Sequence, residues 1–273
     1  MITTPRHALV TGAGSGIGRA VATALVREGW TVGLVDVEKT AIYTLARQLG
    51  VQAWAMVADV SDHASVQQAF AVYAQHHDGR LDLLVNSAGL LYMGHFEDQA
   101  PPHMARLLAV NNLGMAHCCY AALPLLQRSA KQGLRPAVVN LSSASAITGI
   151  PSMAVYSASK FWVSGFTEAL ASEWARHGIA VHDVMPPFVN TPMLAGGAQN
   201  PFIQRLGVDL EPQEVARQIL RAATGGPLHR PISWRLKALL ALKGVLPARI
   251  LRRVVARLGG YPALNAGGPS ARR

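Results

Sequence analysis

The segment that most restricts what this chain can become is Thr11-Gly12-Ala13-Gly14-Ser15-Gly16-Ile17-Gly18. It follows a short apolar run at 7–10 and precedes a stretch at 19–28 whose Ala20, Val21, Ala24 and Leu25 recur at helical spacing. Strand, glycine-rich turn and helix in that order bring main-chain N–H groups to a helix N-terminus with no side chains in the way. Such a turn can cradle an anionic pyrophosphate, and the helix end adds favourable partial charge. Gly12, Ser15, Gly16, Ile17 and Gly18 are the candidates for that contact.

The strand-then-helix unit repeats. Apolar runs at 31–35, 53–57, 81–85, 136–141 and 179–184 read as further strands. Helical stretches follow at about 38–49, up to about 77, then 102–128, 153–177 and 211–223. The alternation predicts an α/β fold, a doubly wound parallel sheet with ligands at the carboxyl ends of its strands. The conspicuous motifs all fall at such ends: 11–18, 36, 59, 86–89, 142–143 and 186–193.

Several of these motifs carry chemistry. Asp36 ends the second strand, where a carboxylate can accept hydrogen bonds from both adenosine ribose hydroxyls and would repel a 2′-phosphate. That favours NAD over NADP, while a helix-capping aspartate is the plainer reading. Asp59, followed by Val60, can meet an adenine amino group, or Ser61 and Asp62 can simply cap the next helix. The small residues of Asn86-Ser87-Ala88-Gly89 would let the chain pass close to a cofactor or make a structural turn. The 102–128 stretch, with Pro124 as an expected kink, carries the polar pair Asn111-Asn112 among apolar residues. Buried amides need partners, so one would hold a water and the other cap a main-chain group.

Tyr156 and Lys160 are four residues apart and stack on one face of a helix. A free phenol has a pKa of about 10. An ammonium one turn away is expected to favour the phenolate and lower that value. A hydroxyl from Ser142 or Ser143, brought in by the fifth strand, would hold a carbonyl or alcohol oxygen while the proton moves. These groups suit the interconversion of an alcohol and a ketone.

The 273 residues are half hydrophobic, enough for one large domain or two small ones. Cys118 and Cys119 are adjacent and give no disulfide framework, which points to a reducing, cytoplasmic setting. No apolar run reaches about 18 residues, so no spanning helix is expected, and residues 1–6 lead straight into a strand, leaving no room for a signal peptide. No His/Cys/Asp cluster has metal-ligand spacing. His95 reads as a solvated loop histidine.

The net charge of +10 sits in the tail. Residues 1–226 hold 15 Lys/Arg and 15 Asp/Glu, and 227–273 hold 10 Lys/Arg and no acid. That balance argues against nucleic-acid binding by the body and divides the chain into a catalytic domain, 1–226, and a basic extension, 227–273. Residues 229–234 suit a last edge strand, since Pro231 is tolerated there. From 248 to 258, Arg249, Arg252, Arg253 and Arg257 share one helical face, and Ile250, Leu251, Val254, Val255 and Leu258 the other. Two readings of 234–258 stand side by side. It lies on the inner face of a membrane with cations toward anionic lipid, or it packs on the domain or a sister subunit with its arginines in water. The Gly/Pro/Ala-rich end, 259–273, is expected to be disordered.

With these motifs quoted, residues 6–225 resemble the short-chain dehydrogenase/reductase family. The 11–18 segment resembles its cofactor loop, Asp36 its NAD-selecting acid, and Asp59-Val60 its adenine contact. Asn86, Ala88 and Gly89 match its Asn-Asn-Ala-Gly element with one serine replacement. The resemblance makes Asn111, in its Val-Asn-x-x-Gly setting, the catalytic asparagine, which would hold a water between Lys160 and solvent. It selects Ser143 over Ser142, because Ser143 precedes Tyr156 by 13 residues. It implies Tyr156 as general acid/base, Lys160 on the nicotinamide ribose, and Val189 and Thr191 on the nicotinamide. Pro186-Pro187 stands where the family has Pro-Gly, which removes a backbone donor. The family implies an oligomer, dimer or tetramer, built through the helices at 102–128 and 153–177.

The substrate wall is expected from 91–96, 145–153 and 188–206, with Ile150, Phe188 and Met193 foremost. Its apolar side chains suit a lipophilic secondary alcohol or ketone. Two other classes remain: a non-catalytic NAD-binding or regulatory protein on the same fold, and a lipid-binding protein led by its tail.

Overall fold

The computed structural model describes residues 6–195, 200–208, 210–243, 245 and 247–262. Among them seven strands form one sheet: β1 (His7–Thr11), β2 (Thr31–Asp36), β3 (Ala53–Val57), β4 (Leu83–Asn86), β5 (Ala137–Leu141), β6 (Ala180–Met185) and β7 (His229–Pro231). Their order is β3-β2-β1-β4-β5-β6-β7, and every neighbouring pair is parallel. Side chains alternate across the sheet. Leu9, Leu84, Val138 and Val181 enter one buried layer, and Ala8, Val10, Leu83, Val85, Val139 and Val184 the other. With both faces covered, the central strands β1, β2 and β4 are almost wholly apolar and buried.

The helices are α1 (Gly16–Arg27), α2 (Lys39–Leu49), α3 (His63–His76), α4 (Pro101–Leu108), α5 (Gly114–Lys131), α6 (Ala154–Trp174), α7 (Pro201–Leu206), α8 (Pro212–Ala223), α9 (Trp234–Lys243) and α10 (Ala248–Leu258). Val21 and Leu25 of α1, Ile42 of α2 and Ile219 of α8 cover one face of the sheet. Phe70 and Tyr73 of α3, Leu126 of α5 and Val163 of α6 cover the other.

One expected helix is built differently. The 102–128 stretch is α4 and α5 joined by a π turn, Ala109–Leu113, and Pro124 lies inside α5 without ending it. The carbonyl that Pro124 leaves without a donor belongs to Tyr120, on the solvent side, where water can serve it.

The sheet runs past residue 226, since β7 pairs with β6. Beyond it α9 and α10 turn their inner faces onto the domain. Leu236 packs with Ala146, Ile147 and Met185, and Leu251, Val255 and Leu258 pack with Ile150, Met153, Phe202 and Ile203. Arg249, Arg252, Arg253 and Arg257 are exposed. The expectation of disorder from 259 onward is corrected for its first residues. Tyr261 is anchored, with its hydroxyl 3.0 Å from Ser152 Oγ and 2.6 Å from His95 Nδ1. The rest of that expectation, 263–273, lies outside the described residues, as does 196–199 of the expected substrate wall.

Candidate active site

The chain leaves β1 toward β2 on one side and returns as β4 on the other. The crevice at this switch point is where an open α/β sheet takes a ligand. Its floor depends on glycine. Gly12 has φ +67°, and a Cβ there would lie 2.8 Å from the Ala88 Cα, while a Cβ on Gly18 would lie 2.1 Å from the Gly12 carbonyl oxygen. Thr11 Oγ1 accepts the N–H groups of both Ser87 and Ala88 at 3.1 Å, stitching the ends of β1 and β4 together. Ser15 caps α1 without a side-chain bond, so the first-turn donors are not used by a cap, and Gly16, Ile17 and Gly18 line the crevice. These features fit a pyrophosphate.

The crevice opens into a cleft of about 540 Å³. Asp36, at one end, accepts Gly14 N–H at 2.8 Å and Glu38 N–H at 3.0 Å, so it braces the glycine loop and starts α2 together. Asp59, also lining the cleft with Val60, is engaged by a cation that the sequence reading missed: Arg106 Nη2 is 2.8 Å from its Oδ2. Arg106 also donates to Ser61 Oγ. Burial would raise the Asp59 pKa, but bonds from Ser61 and Arg106 outweigh it and hold the carboxyl below its usual range. A sequence signal for Arg106 exists, since it lies one turn before Val110 on a continuing helix and both line the cleft. Ala88 and Gly89 line it too, but Asn86 stands behind the wall. Asn86 Nδ2 donates to Asn140 Oδ1 at 2.9 Å, and Asn140 donates to Thr167 Oγ1 at 3.0 Å, a buried amide chain tying β4 to β5 and α6.

At the far end β5 delivers Ser143, and α6 delivers Tyr156 and Lys160, to the same cleft. Ser143 Oγ accepts Ser145 N–H at 3.2 Å, and its hydroxyl acts on the Tyr156 phenol to favour the phenolate. The expectation that Lys160 lowers the phenol pKa is corrected. Burial pushes Tyr156 up to about 12, opposed only by the Ser143 bond. Lys160 is itself pushed down to about 8 by burial, with Asp183 acting the other way. The ammonium donates to the Leu141 carbonyl at 2.8 Å and sits 5.6 Å from the centre of the Tyr156 ring. The shared helix face is there, and the ammonium is tied to the end of β5.

Asn111 is buried in the π turn. Its amide nitrogen donates to Leu90 O at 3.0 Å and Ser159 Oγ at 3.1 Å, and its oxygen accepts Leu90 N–H at 2.7 Å. Asn112 donates to the Ser159 carbonyl at 2.9 Å. Both amides therefore bind main chain or serine, and neither side chain lines the cleft. Pro186 lends its carbonyl to Ala144 N–H at 2.9 Å, which couples the β6 end to the Ser143 turn despite the second proline. Val189 and Thr191 line the cleft, and a Gly16 Cβ would come within 3.2 Å of Thr191 Cγ2.

Ile150, Phe188 and Met193 line the remaining end with Met153 and Leu194. Leu236 of α9 joins them, a contribution from the tail that periodicity could not show. A second missed cluster lies behind Lys160. His229 reaches Asp183 Oδ2 at 2.7 Å and Glu168 Oε1 at 2.9 Å, linking β7, β6 and α6.

The short chain dehydrogenase family model matches residues 6–201. The chain belongs to the short-chain dehydrogenase family. It is an oxidoreductase of that family, and relatives agree. An uncharacterized oxidoreductase of Staphylococcus aureus is 34% identical over 82% of this chain and 93% of its own. A D-threitol dehydrogenase of Mycolicibacterium smegmatis is 37% identical over 67% of this chain and 70% of its own. Among solved structures, a 3-ketoacyl-(acyl-carrier-protein) reductase from Brucella melitensis, complexed with NADH, superposes with TM-score 0.76 at 29% identity, covering 83% of this chain and 96% of that one. A short chain dehydrogenase/reductase from Burkholderia phymatum, in complex with NAD, has the same fold over 98% of this chain and 100% of its own, with TM-score 0.78 and 24% identity.

Proposed function

We propose that this short-chain dehydrogenase is NAD-dependent and interconverts a lipophilic secondary alcohol and its ketone. The observation that carries the reading is the meeting of Ser143, Tyr156 and Lys160 in one cleft with the glycine cradle. NADH and NAD in the two solved relatives support a nicotinamide dinucleotide in that cradle. Asp36 supports NAD over NADP, because its carboxylate would meet a 2′-phosphate with like charge. Gly12 and Gly16 to Gly18 would hold the pyrophosphate, Asp36 and Asp59 the adenosine, and Val189, Thr191 and Lys160 the nicotinamide end.

Tyr156 would give or take the proton of the substrate oxygen, and Ser143 would orient that oxygen and steady its developing charge. The dinucleotide would exchange the hydride and, when oxidised, add a positive charge that favours the phenolate. Burial raises the phenol pKa, and a positive charge beside it would oppose that shift. Asn111 would position Lys160 through Leu90, Ser159 and the π turn. If a water links Lys160 to solvent, the Asn111 carbonyl is the group left to hold it, because the side chain is spent.

Apolar Ile150, Met153, Phe188, Met193 and Leu236 support a lipophilic substrate. D-threitol dehydrogenase is named for a polyol, so small polar alcohols are the competing class. Exposed Leu108, Leu113, Tyr120, Phe161 and Trp162 on α4 to α6 support a homodimer or homotetramer through those helices. Buried, unpaired Cys118 and Cys119 suit a cytoplasmic setting. The test is to follow reduced-cofactor absorbance, with NADH against NADPH, over hydrophobic ketones and polyols. Turnover with NADH on the hydrophobic ketones is expected, and turnover confined to polyols or to NADPH would overturn the reading.

A further inference from the structure

We infer that the outer surface of α9 and α10 docks on an anionic lipid bilayer, and so sets the substrate end of the cleft against the lipid. The two helices have one face already committed. Leu236 lines the cleft, and Leu251, Val255 and Leu258 pack over the wall formed by Ile150 and Met153. What they turn outward is both apolar and cationic. Trp234 is 74% and Val245 82% exposed, and Leu242, Ile250 and Val254 are exposed with them. Arg235, Lys237, Arg249, Arg252, Arg253 and Arg257 stand between these residues, exposed. Among the described residues no carboxylate pairs with any of these cations: Arg235 stacks on Trp234 and Lys243 on Phe161. The whole segment 227–273 contains no Asp or Glu, so the tail brings no acidic side chain of its own.

Charge and shape choose the occupant. A helix with aliphatic side chains beside a basic arc lies in a membrane interface, its apolar residues among the acyl chains and its cations at the headgroups. Ile250 and Val254 flank the docked stripe of α10 on one side, followed around the helix by Arg257, Arg253 and Arg249. A second copy of this chain would present the same cations to themselves, which opposes self-association across this patch. A nucleic acid would satisfy the cations but leave Val245, Ile250 and Val254 without an apolar partner. No helix among the described residues is long and apolar enough to cross a membrane, so the contact is with one leaflet. The lipid contact stands whether or not the reaction is as proposed; only the delivery of substrate from lipid rests on that reading.

The full-length protein is floated with vesicles of phosphatidylcholine alone and of phosphatidylcholine mixed with phosphatidylglycerol. It is expected to rise with the anionic vesicles only, and to be released at about 0.5 M salt. Ile250→Asp/Val254→Asp and, separately, Arg249→Glu/Arg253→Glu are expected to weaken binding about tenfold or more, with turnover of a water-soluble alcohol unchanged. Because the arginines are solvated, the second variant keeps the test sound if the first unfolds. A blue shift of emission on adding anionic vesicles is expected to vanish in Trp234→Phe. No flotation, equal flotation on neutral vesicles, indifference to both variants, or dimerisation or DNA binding abolished by them in place of vesicle binding would each overturn the inference. Flotation without turnover on any alcohol would remove the reaction and leave the lipid contact.

Discussion

Lys160 donates its ammonium to the main-chain carbonyl of Leu141 at 2.8 Å and lies 5.6 Å from the centre of the Tyr156 ring. The lysine of the pair is thus tied to the end of β5. With burial lowering Lys160 to about 8, its charge is lost as pH rises through that value. The pH profile of kcat/KM, which reports the free enzyme, is expected to bend near pH 8. The bend is expected to be missing in Lys160→Met, whose residual rate is also lower at neutral pH. An identical bend in the variant would detach it from Lys160.

Asp36 is the residue to which we assign the proposed coenzyme preference. Hydrogen bonds to a charged group contribute about 1.5–3 kcal/mol, so Asp36→Ala is expected to raise the KM for NAD by about ten- to a hundredfold. NADP is expected to suffer far less, because a repulsion is removed. Part of the loss will be structural, since Asp36 also takes Gly14 N–H. Titration of NADH and NADPH fluorescence separates the two effects, and an equal loss for both coenzymes would assign Asp36 to loop bracing alone.

We propose Tyr261 as a positioning residue for the substrate wall. Ser152 has φ +63°, a conformation that costs a non-glycine residue about 1 kcal/mol or more. It is held there by the Tyr261 hydroxyl and by Gly94 N–H on its carbonyl at 3.0 Å. Tyr261→Phe is expected to raise the KM for the substrate about three- to tenfold, the worth of one or two neutral hydrogen bonds. The KM for coenzyme and kcat should change little. Equal changes in all three would mean a general loss of folded protein.

His229, between Asp183 and Glu168, gives stability a pH dependence. The Asp183 bond raises the His229 pKa, and burial raises that of Asp183, so the folded state holds these protons more tightly than the unfolded chain. The stability from His229 is therefore fully present below the unfolded value of about 6.5 and lost as pH rises through the higher folded value. Melting temperatures of the protein and of His229→Gln should differ most near pH 6 and converge at higher pH. The lowered pKa values of His7, His77 and His182 act in the opposite direction and cancel in the difference. A gap that widens with pH would contradict the assignment.

The central strands were legible because a sheet buried on both faces leaves an unbroken apolar run, and Gly12 and Gly18 because no side chain fits where they stand. The family resemblance chose Ser143, but a serine of the 142–143 pair, Tyr156 and Lys160 could be brought to one point from strand ends and helical spacing. The direction of Lys160 could not, since its acceptor is 19 residues away. Nor could the Arg106–Asp59 pair, 47 residues apart, which needs α4 set beside the β3 end. The π turn at Ala109–Leu113 was not legible either, since no residue type marks it as a proline marks a kink. For the tail, periodicity showed that a stripe existed. What covered the stripe depended on the shape of a surface formed by Ile150, Met153, Phe202 and Ile203.

The most direct test is turnover of Tyr156→Phe beside its coenzyme affinity. Oxidation of a secondary alcohol is followed by NADH absorbance, and NADH binding by fluorescence. The account predicts a fall in kcat of about 10²–10⁴-fold with the dissociation constant for NADH essentially unchanged. A variant that keeps more than about a tenth of the turnover, or one that loses NADH binding along with it, would contradict the claim that this phenol moves the proton.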